Sequence, residues 1–445
     1  MMKPEFQTTM STTSRRDFLR QAAGAAAVLG AAASHAAAQP KPLSNIRIGF
    51  IGVGGRGSGH VRDLLLIPNV QLKAVCDIVP SKVERIQNMA EKAGQARPEA
   101  YSRGEQDYKR LCARNDLDMV YIATPWEWHV PMAVEAMKNG KHAAIEVPAA
   151  TTLEECWQMV ETSESTGKYC IQLENCCYDR VELMALNMAR KNLFGELVHA
   201  ECGYLHDLRS LKFSDQGEGL WRLNHALRRN ADIYPTHGLG PVAQTLGINR
   251  GNLFDHMVSM ASKSYSLKEY ATGKFGPDSP KSKLDIALGD VVTSQIRTRA
   301  GQTITLVHDT NTPRPYSRKV LIQGSRGLLE KYPTPRIYIE GKGRADEWQN
   351  LFPDWAKEWE HPLWRDLEQK ARGAGHGGMD FVMNYRLMDC LQKGLPPDMD
   401  VYDAAALSAV TELSERSIAG RSRSVDFPDF TRGRWRSTPP LAVVS

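Results

Sequence analysis

Three glycines and an aspartate have the types and spacing of a dinucleotide-binding site. Gly52, Gly54 and Gly57 form a G-x-G-x-x-G motif, and Asp77 follows twenty residues after Gly57. In such a motif the glycines allow a tight turn, let the backbone approach a pyrophosphate and let a helix pack closely on a strand. An aspartate at this distance binds the ribose hydroxyls of NAD and repels the extra phosphate of NADP. The motif therefore predicts NAD, since the single Arg56 is a weaker indication of NADP.

Two further residues have side chains suited to acid–base chemistry. His237 lies in the segment Y-P-T-H-G (234–238), where we predict a loop after a helix break at Pro235. Imidazole exchanges protons near neutral pH, so His237 is the first candidate for the acid and base; the alternative is a helix-capping or core histidine. Glu146 follows a predicted strand, where a carboxylate can orient a ribose or act as a base; the alternative is a simple cap.

Aromatic and basic residues provide candidate ligand contacts. Tyr234 and Tyr316 can hold hydroxyl groups or relay a proton, and the alternative is aromatic core. Arg222 can bind a carbonyl or carboxylate group, with a structural role equally open. Trp126 and Trp128 offer a stacking wall, and packing is again the alternative.

Alternating strands and helices must position these residues. Apolar patterning predicts strands at 47–53, 70–76, 116–125 and 143–148 and helices at 58–67, 130–139 and 153–166. Short crossovers between such elements are typical of a doubly wound parallel sheet. Ligands bind beyond the carboxyl ends of its strands, so we expect 124–129 and 146–148 to face the reactive end of the cofactor.

The remaining sequence predicts a second domain. Period-two alternation indicates strands at 197–204, 257–265, 291–299, 302–309 and 319–324, and helical periodicity returns at 376–419. We predict loops at 273–283 and 333–346 and a closing surface strap at 427–430.

The predicted fold class is α/β, in which an N-terminal Rossmann doubly wound parallel sheet precedes a C-terminal α+β domain with a large, mostly antiparallel open sheet. The predicted divisions are a twin-arginine signal peptide (1–40), an NAD-binding Rossmann domain (45–167) and a substrate-binding α+β domain with a C-terminal helical tail (168–445).

The predicted signal peptide rests on three features. The segment 14–20 reads S-R-R-D-F-L-R, similar to the twin-arginine export signature, and an alanine-rich stretch and the small residues 34–36 follow it. An uncleaved amphipathic anchor is the alternative. Twin-arginine export carries folded proteins, which suits a cofactor bound before export. We therefore expect a periplasmic or secreted protein.

Composition, charge and cysteine spacing limit the classes of ligand and partner that we expect for this chain. The 445 residues are 42% hydrophobic and 24% charged, and the net charge of +5 is spread along the sequence, so we predict no nucleic-acid binding. No later stretch has the apolar length of a membrane span. The eight cysteines form no C-x-x-C pair and no His/Cys metal spacing. We predict small buried cysteines and no metal.

The run from Ala123 to Pro148 resembles the glucose-fructose oxidoreductase and inositol dehydrogenase family (Gfo/Idh/MocA). It reads A-T-P-x-x-x-H-x-x-x-A-x-x-A-M-x-x-G-K-H-x-x-x-E-x-P. The usual family pattern ends in E-K-P, whose lysine assists proton transfer at the sugar hydroxyl. This chain has Val147 at that position, so an ordinary sugar dehydrogenase is less favoured.

Later segments resemble glycoside hydrolase family 109, a branch of the same superfamily. They are LENCCY (173–178), GYLHDLR (203–209), WRLNH (221–225), YPTHG (234–238), HDT (308–310), RPY (314–316) and GHGGMD (375–380). The match runs in order from about residue 47 to residue 435, so it covers nearly the whole chain after the leader.

The resemblance implies a site, position by position. It assigns to NAD the residues Gly55, Arg56, Asp77, Trp126, Glu127, Trp128, His129, Glu146, Val147 and Asn175, with Tyr234 beside the cofactor. It assigns to the substrate Tyr204, Arg222, Tyr234, Pro235, Thr236, His237 and Tyr316. The catalytic candidates are His237, Tyr234 and Glu146, with Tyr178 at the sugar.

The same resemblance implies hydrolysis of terminal α-linked N-acetylgalactosamine with NAD bound throughout. Oxidation at carbon 3 makes the proton on carbon 2 removable, elimination expels the group at carbon 1, and water addition and re-reduction complete the cycle. One alternative is a plain NAD-dependent sugar dehydrogenase. A second is a non-catalytic protein that keeps NAD as a scaffold. A homo-oligomer formed through the C-terminal sheet is a further expectation.

Overall fold

The computed structural model describes residues 41–443. The predicted signal peptide at 1–40 lies outside the described residues, so export stays a prediction. Among the helices of residues 41–443, none combines the length and apolar character needed to cross a membrane.

The first sheet is parallel, as predicted, and it has six strands where the sequence indicated four. They are β1 (Ile46–Ile51), β2 (Val70–Cys76), β3 (Glu99–Tyr101), β4 (Met119–Ile122), β5 (His142–Ile145) and β6 (Cys170–Gln172). Their order is β3-β2-β1-β4-β5-β6. From β1 the chain adds β2 and β3 on one side, and it then crosses back to add β4, β5 and β6 on the other side. This reversal creates a crevice at the carboxyl ends of β1 and β4, where α/β proteins bind ligands.

Helices connect these strands. They are α1 (Gly55–Leu64), α2 (Pro80–Lys92), α3 (Tyr108–Cys112), α4 (His129–Lys138) and α5 (Leu153–Thr166). The start of α5 shows why the sequence determines its boundary: the Thr152 hydroxyl accepts from the Glu155 N–H at 3.1 Å, and the Glu155 carboxylate accepts from the Thr152 N–H at 3.2 Å. Strand β6 follows α5, so the parallel sheet continues past the predicted division at residue 167.

A nine-stranded sheet forms the centre of the second part. Its strands are β7 (Leu197–Leu205), β8 (Phe254–Ala261), β9 (Val292–Thr298), β10 (Thr303–Asp309), β11 (Leu321–Gly324), β12 (Gly327–Glu330), β13 (Arg336–Ile339), β14 (Gln349–Asn350) and β15 (Val425–Asp426). The order is β14-β13-β12-β11-β7-β10-β9-β8-β15. The β7–β10 pair is parallel and the other pairs are antiparallel, in agreement with the predicted fold class.

The remaining helices pack around this sheet. They are α6 (Arg180–Arg190), α7 (Arg209–Lys212), α8 (Gly219–Arg228), α9 (Thr236–Thr245), α10 (Ser266–Phe275), α11 (Asp354–Trp359), α12 (Pro362–Ala371), α13 (Met379–Lys393) and α14 (Val401–Ala419). Helix α14 packs against α5 and β8, and α13 packs against α1, so the C-terminal helices join both sheets.

Three local predictions were wrong. The predicted loop at 273–283 begins inside α10, which ends at Phe275, and finishes as a 3-10 turn over Pro280–Lys283. The segment 333–346 contains β13, which pairs with β12 and buries Ile337 and Ile339. The strand is short and lies among charged and glycine residues, so its alternation is weak in the sequence. The segment 427–430 is not a surface strap, because Phe427 and Phe430 pack into the core.

Candidate active site

The glycine motif makes the turn that a dinucleotide site needs. Gly52 has a φ of +84°, and a Cβ on Gly57 would lie 2.0 Å from the Gly52 carbonyl oxygen, so both positions require glycine. A Cβ on Gly54 or Gly55 would meet nothing within 4 Å, which leaves the backbone open at the start of α1. Asp77 accepts from the Val53 N–H at 2.9 Å. These residues fit NAD, with its phosphates at the helix N-terminus.

Arg56 lies at the centre of a buried ionic network. Its Nε donates to Glu146 at 2.5 Å and its Nη1 donates to Asp380 at 2.6 Å. The His60 Nε2 lies 2.6 Å from the same Glu146 oxygen, and the Asn175 amide donates to Asp380 at 2.6 Å. The network therefore joins the glycine loop, the ends of β5 and β6, and helix α13.

These contacts argue against the predicted role of Glu146 as a base. Burial alone would raise the pKa of its carboxyl, but Arg56 and His60 outweigh burial and hold this pKa far below its ordinary value. The second carboxylate oxygen also accepts from the Val147 N–H at 3.1 Å. A carboxylate this strongly paired remains ionised and holds its neighbours in place.

His237 lies in the first turn of α9, not in the predicted loop, because Pro235 starts the helix as its N-cap residue. The ring Nδ1 lies 2.8 Å from Glu174 Oε1 and 3.1 Å from Oε2. The Tyr234 hydroxyl lies 3.4 Å from His237 Nε2. The ring is thus oriented by a carboxylate on one nitrogen and faces a hydroxyl with the other, an arrangement typical of acid–base catalysis.

Glu174 is the functional residue that sequence reasoning missed. It follows β6 at the carboxyl edge of the sheet and is completely buried. Burial raises the pKa of its carboxyl, but the facing His237 ring and the Cys176 N–H lower this pKa below its ordinary value. Its position next to Asn175, at a strand end, was the available signal.

Three tyrosines form an aromatic wall beside this pair. The ring of Tyr204 lies 4.6 Å from that of Tyr234, 5.3 Å from that of His237 and 6.2 Å from that of Tyr316. The Tyr204 hydroxyl is 3.0 Å from His206 Nδ1. Burial raises the pKa of Tyr204 to about 12 and the pKa values of Tyr234 and Tyr316 well above the ordinary value. The tyrosines therefore remain protonated and act as hydrogen-bond donors.

Arg222 is enclosed by aromatic rings. Its guanidinium lies 5.0 Å from the Trp126 ring, 5.5 Å from the Trp221 ring and 5.1 Å from the Tyr234 ring. Its Nη2 pairs with Glu218 at 2.5 Å, while its Nε is buried and has no partner among residues 41–443. These contacts place Arg222 and Trp126 beside Tyr234, one of the three tyrosines of the wall.

Three other predicted site residues make their contacts with groups of the protein itself. The His129 ring is fully buried between the carbonyls of Pro148 and Thr124, each 2.9 Å away, so neither ring nitrogen is available to a cofactor. The Tyr178 hydroxyl donates to Asp398 at 3.3 Å, which argues against its predicted role at the sugar. The Trp128 ring packs 6.3 Å from the Tyr108 ring.

The last predicted residues lie around the tyrosine wall or at its rim. Val147 packs in one buried cluster with Trp126 and Tyr204. Thr236 is buried in the first turn of α9, next to the N-cap Pro235. Glu127 is largely exposed, and its carboxylate lies 3.8 Å from His225 Nε2.

Three possible metal ligands lie close together although their spacing in the sequence does not indicate a metal site. Single ligating atoms of Glu174, Cys176 and His237 all lie within 4.8 Å of one another. The Glu174 carboxylate already accepts from the Cys176 N–H at 3.0 Å and contacts His237, so this group is explained by hydrogen bonds.

Two family models together match nearly the whole described chain. The model described as "Glycosyl hydrolase 109, C-terminal domain" matches residues 178–437, and the model described as "Oxidoreductase family, NAD-binding Rossmann fold" matches residues 46–173. The second match agrees with the glycine loop and confirms NAD as the cofactor.

Curated relatives match over almost their full length. A glycosyl hydrolase family 109 protein of Solibacter usitatus is 48% identical over 441 residues, covering 97% of this chain and 100% of the relative. One of Shewanella pealeana is 47% identical over 406 residues, covering 90% and 89%.

Solved structures share the fold at low identity. An NAD binding oxidoreductase from Klebsiella pneumoniae has a TM-score of 0.69 at 17% identity, covering 86% of this chain and 99% of that one. Levoglucosan dehydrogenase in complex with NADH has a TM-score of 0.66 at 19% identity, covering 86% and 99%. Both support the predicted fold class. With the family model across residues 178–437 and relatives at 47–48% identity, the chain belongs to glycosyl hydrolase family 109, an NAD-dependent family of glycoside hydrolases.

Proposed function

We propose that this enzyme hydrolyses terminal α-linked N-acetylgalactosamine through a closed redox cycle. The observation that carries the proposal is the His237–Glu174 pair beside the tyrosine wall, next to Asn175 and Val147 of the cofactor side. The glycine loop and Asp77 would hold NAD, which would supply reversible hydride transfer at sugar carbon 3. The protein must supply the proton transfers and hold the sugar.

Proton transfer falls to His237 in this proposal. Val147 occupies the position of the lysine in the E-K-P pattern, so that amine does not assist here. The three wall tyrosines have raised pKa values and remain protonated, which makes them donors to sugar oxygens. Glu146 is held ionised by Arg56 and His60. The imidazole of His237, which the Glu174 carboxylate orients, is suited to take a proton from the sugar and return it.

Glu174 and Arg222 support this chemistry in different ways. The Glu174 carboxylate fixes the orientation of the His237 ring, because the two groups are in contact at 2.8 Å. The Arg222 Nε is buried beside Tyr234 and has no partner within residues 41–443, which suits a carbonyl oxygen such as that of an acetamido group.

The test uses protein loaded with NAD, freed of unbound cofactor and given p-nitrophenyl α-N-acetylgalactosaminide. We expect release of nitrophenol over many turnovers with no net absorbance of NADH. Failure to cleave the α-glycoside, with NADH accumulating when free sugars and NAD are supplied, would contradict the proposal and favour a sugar dehydrogenase. Cleavage of p-nitrophenyl α-N-acetylglucosaminide in place of the α-N-acetylgalactosaminide would show that N-acetylglucosamine is the sugar recognised.

We also propose export by the twin-arginine pathway to the periplasm or the medium. The support is the S-R-R-D-F-L-R segment (14–20) followed by the alanine-rich stretch. Replacement of both arginines of the pair by lysine should leave the protein in the cytoplasmic fraction with its leader attached. Unchanged fractionation would contradict this proposal.

Self-association through the open face of the second sheet is the remaining proposal. Thr293, Gln295 and Arg297 of β9 alternate toward solvent on this face. Light scattering during gel filtration should give a multiple of the chain mass, and Gln295→Glu should lower it, because the negative charges added to two apposed faces repel each other. A monomer at all concentrations would contradict this proposal.

A further inference from the structure

Asp380 connects segments that lie far apart in the sequence around the nucleotide crevice. It is the second residue of α13, in the part of the chain that follows the parallel sheet. One carboxylate oxygen accepts from Arg56 of the glycine loop, and the other accepts from Asn175 after β6, each at 2.6 Å. Both partners are predicted NAD contacts. Asp380 itself was not.

The surroundings of Asp380 reinforce these contacts. The His376 Nδ1 lies 2.8 Å from the same oxygen that Arg56 contacts. One turn further along α13, the Asn384 amide lies 3.0 Å from His60 Nδ1, and His60 contacts Glu146. Asp380, Asn384 and His60 are all buried. Helix α13 thus supports both carboxylates that pair with Arg56.

Movement of α13 away from the crevice would break this network. Arg56 would lose one of two carboxylate partners, and Asn175 would lose its acceptor within a buried environment. Breaking a buried ion pair and a buried hydrogen bond is costly, because the separated groups lose part of their compensation. The contacts therefore oppose opening of the crevice, which is the motion that release of a dinucleotide requires.

We propose that Asp380, supported by Asn384 and His376, is a positioning residue that fastens the glycine loop to the end of β6 and so slows the release of NAD. This inference rests on the proposed closed redox cycle, because an enzyme that returns its own hydride gains by keeping the cofactor between turnovers. A dehydrogenase, by contrast, must exchange NAD in every turnover.

The test compares NAD retention in the unsubstituted full-length enzyme and in its Asp380→Asn variant. Each protein is loaded with NAD, passed through a desalting column and diluted into buffer with NAD-consuming glycohydrolase, and the bound NAD is measured in acid extracts over time. We expect Asp380→Asn to lose NAD at least tenfold faster than the unsubstituted enzyme. Equal rates in a variant that folds normally would overturn the proposal.

Asp403→Asn is the matched control. Asp403 is also buried near the start of a C-terminal helix and pairs with Arg250 at 2.7 Å, but neither Arg250 nor its neighbour Asn249 is a predicted cofactor contact. We expect normal NAD retention in this variant. Faster loss from both variants to the same extent would attribute the effect to general destabilisation and overturn the proposal.

Asn384→Ala provides a second variant in case Asp380→Asn does not fold. It removes the amide beside His60 and leaves every charge in place. We expect about threefold faster loss of NAD, and no change would overturn the proposal. Because no sugar is present in these measurements, their outcome is independent of whether the α-N-acetylgalactosaminide assay succeeds.

Discussion

His237 and Glu174 are the residues on which the proposed chemistry depends. Removing a general acid–base group typically lowers the rate by a factor of about 10²–10⁴, so we expect a loss of this size in kcat for His237→Ala. His199→Ala is the control, because His199 lies on the same strand-rich part of the chain and contacts Thr303 at the surface. Initial rates of nitrophenol release measure both, and a His237→Ala enzyme with full kcat would contradict the assignment.

Glu174 acts through the ring it contacts, so its substitution should have a different signature. We expect Glu174→Gln to lower kcat by roughly tenfold. The KM should change little, because the carboxylate is completely buried and contacts the His237 ring at 2.8 Å. A KM that rises as much as kcat falls would contradict a role exerted through the His237 ring.

Asp232 is a buried carboxyl beside the active-site segment. Burial raises its pKa to about 7 from an ordinary value of 3.8, so the folded state binds more protons than the unfolded state between these values. The resulting penalty is absent below pH 3.8, grows as the pH rises and is complete above pH 7. Its Oδ1 accepts from the Tyr234 N–H at 3.1 Å, a bond that asparagine can keep.

Asp232→Asn should therefore raise the free energy of unfolding more at high pH than at low pH. With about 1.4 kcal/mol for each pKa unit, the gain should be about 2–3 kcal/mol larger at pH 8 than at pH 5. Urea unfolding at the two pH values measures the difference. A change in stability that is equal at both would contradict the raised pKa.

At the scale of elements, helix α9 carries His237 and must lie close to strand β7. A Cβ on Gly238 would lie 2.4 Å from the Gly203 nitrogen and 2.6 Å from its carbonyl oxygen, and backbone atoms cannot move aside easily. We expect Gly238→Ala to lower the free energy of unfolding by about 1–3 kcal/mol and to lower kcat, since the helix that holds His237 is displaced.

Gly273→Ala is the matched control. Gly273 lies within α10, where a Cβ would meet nothing within 4 Å, so alanine should stabilise the protein by about 0.5–1 kcal/mol through its higher helix propensity. Thermal unfolding and nitrophenol release measure both variants. Equal effects of the two substitutions would show that contact with β7 is not the cause.

At the scale of the whole molecule, all eight cysteines are buried as free thiols, as predicted. Burial raises the pKa values of Cys76, Cys112, Cys170 and Cys390 to about 12, which leaves little thiolate for reaction. We expect dithionitrobenzoate to label none of them within minutes in the folded enzyme and all eight in guanidinium chloride. Rapid labelling of one thiol in the folded enzyme would contradict this burial.

The sequence alone determined those features that depend on residues close together in the chain. Strand β2 and helix α5 have the predicted bounds, because alternation of apolar residues and a capping box act locally. The spacing of Gly52, Gly57 and Asp77 predicted the cofactor in the same way, since the turn, the helix start and the next strand are consecutive.

Only the tertiary structure decided which side chains meet. Glu174 and His237 are 63 residues apart, and Arg56 and Asp380 are 324 apart. Neither pair has a spacing that a local pattern can indicate, because their contact depends on how α9 and α13 pack against the parallel sheet. The same packing brings Arg56 and His60 into contact with Glu146. Glu146, predicted as a possible base, is therefore held as an ionised carboxylate. The chemistry is carried by residue types that the sequence displays, but their roles follow from partners that only the fold supplies.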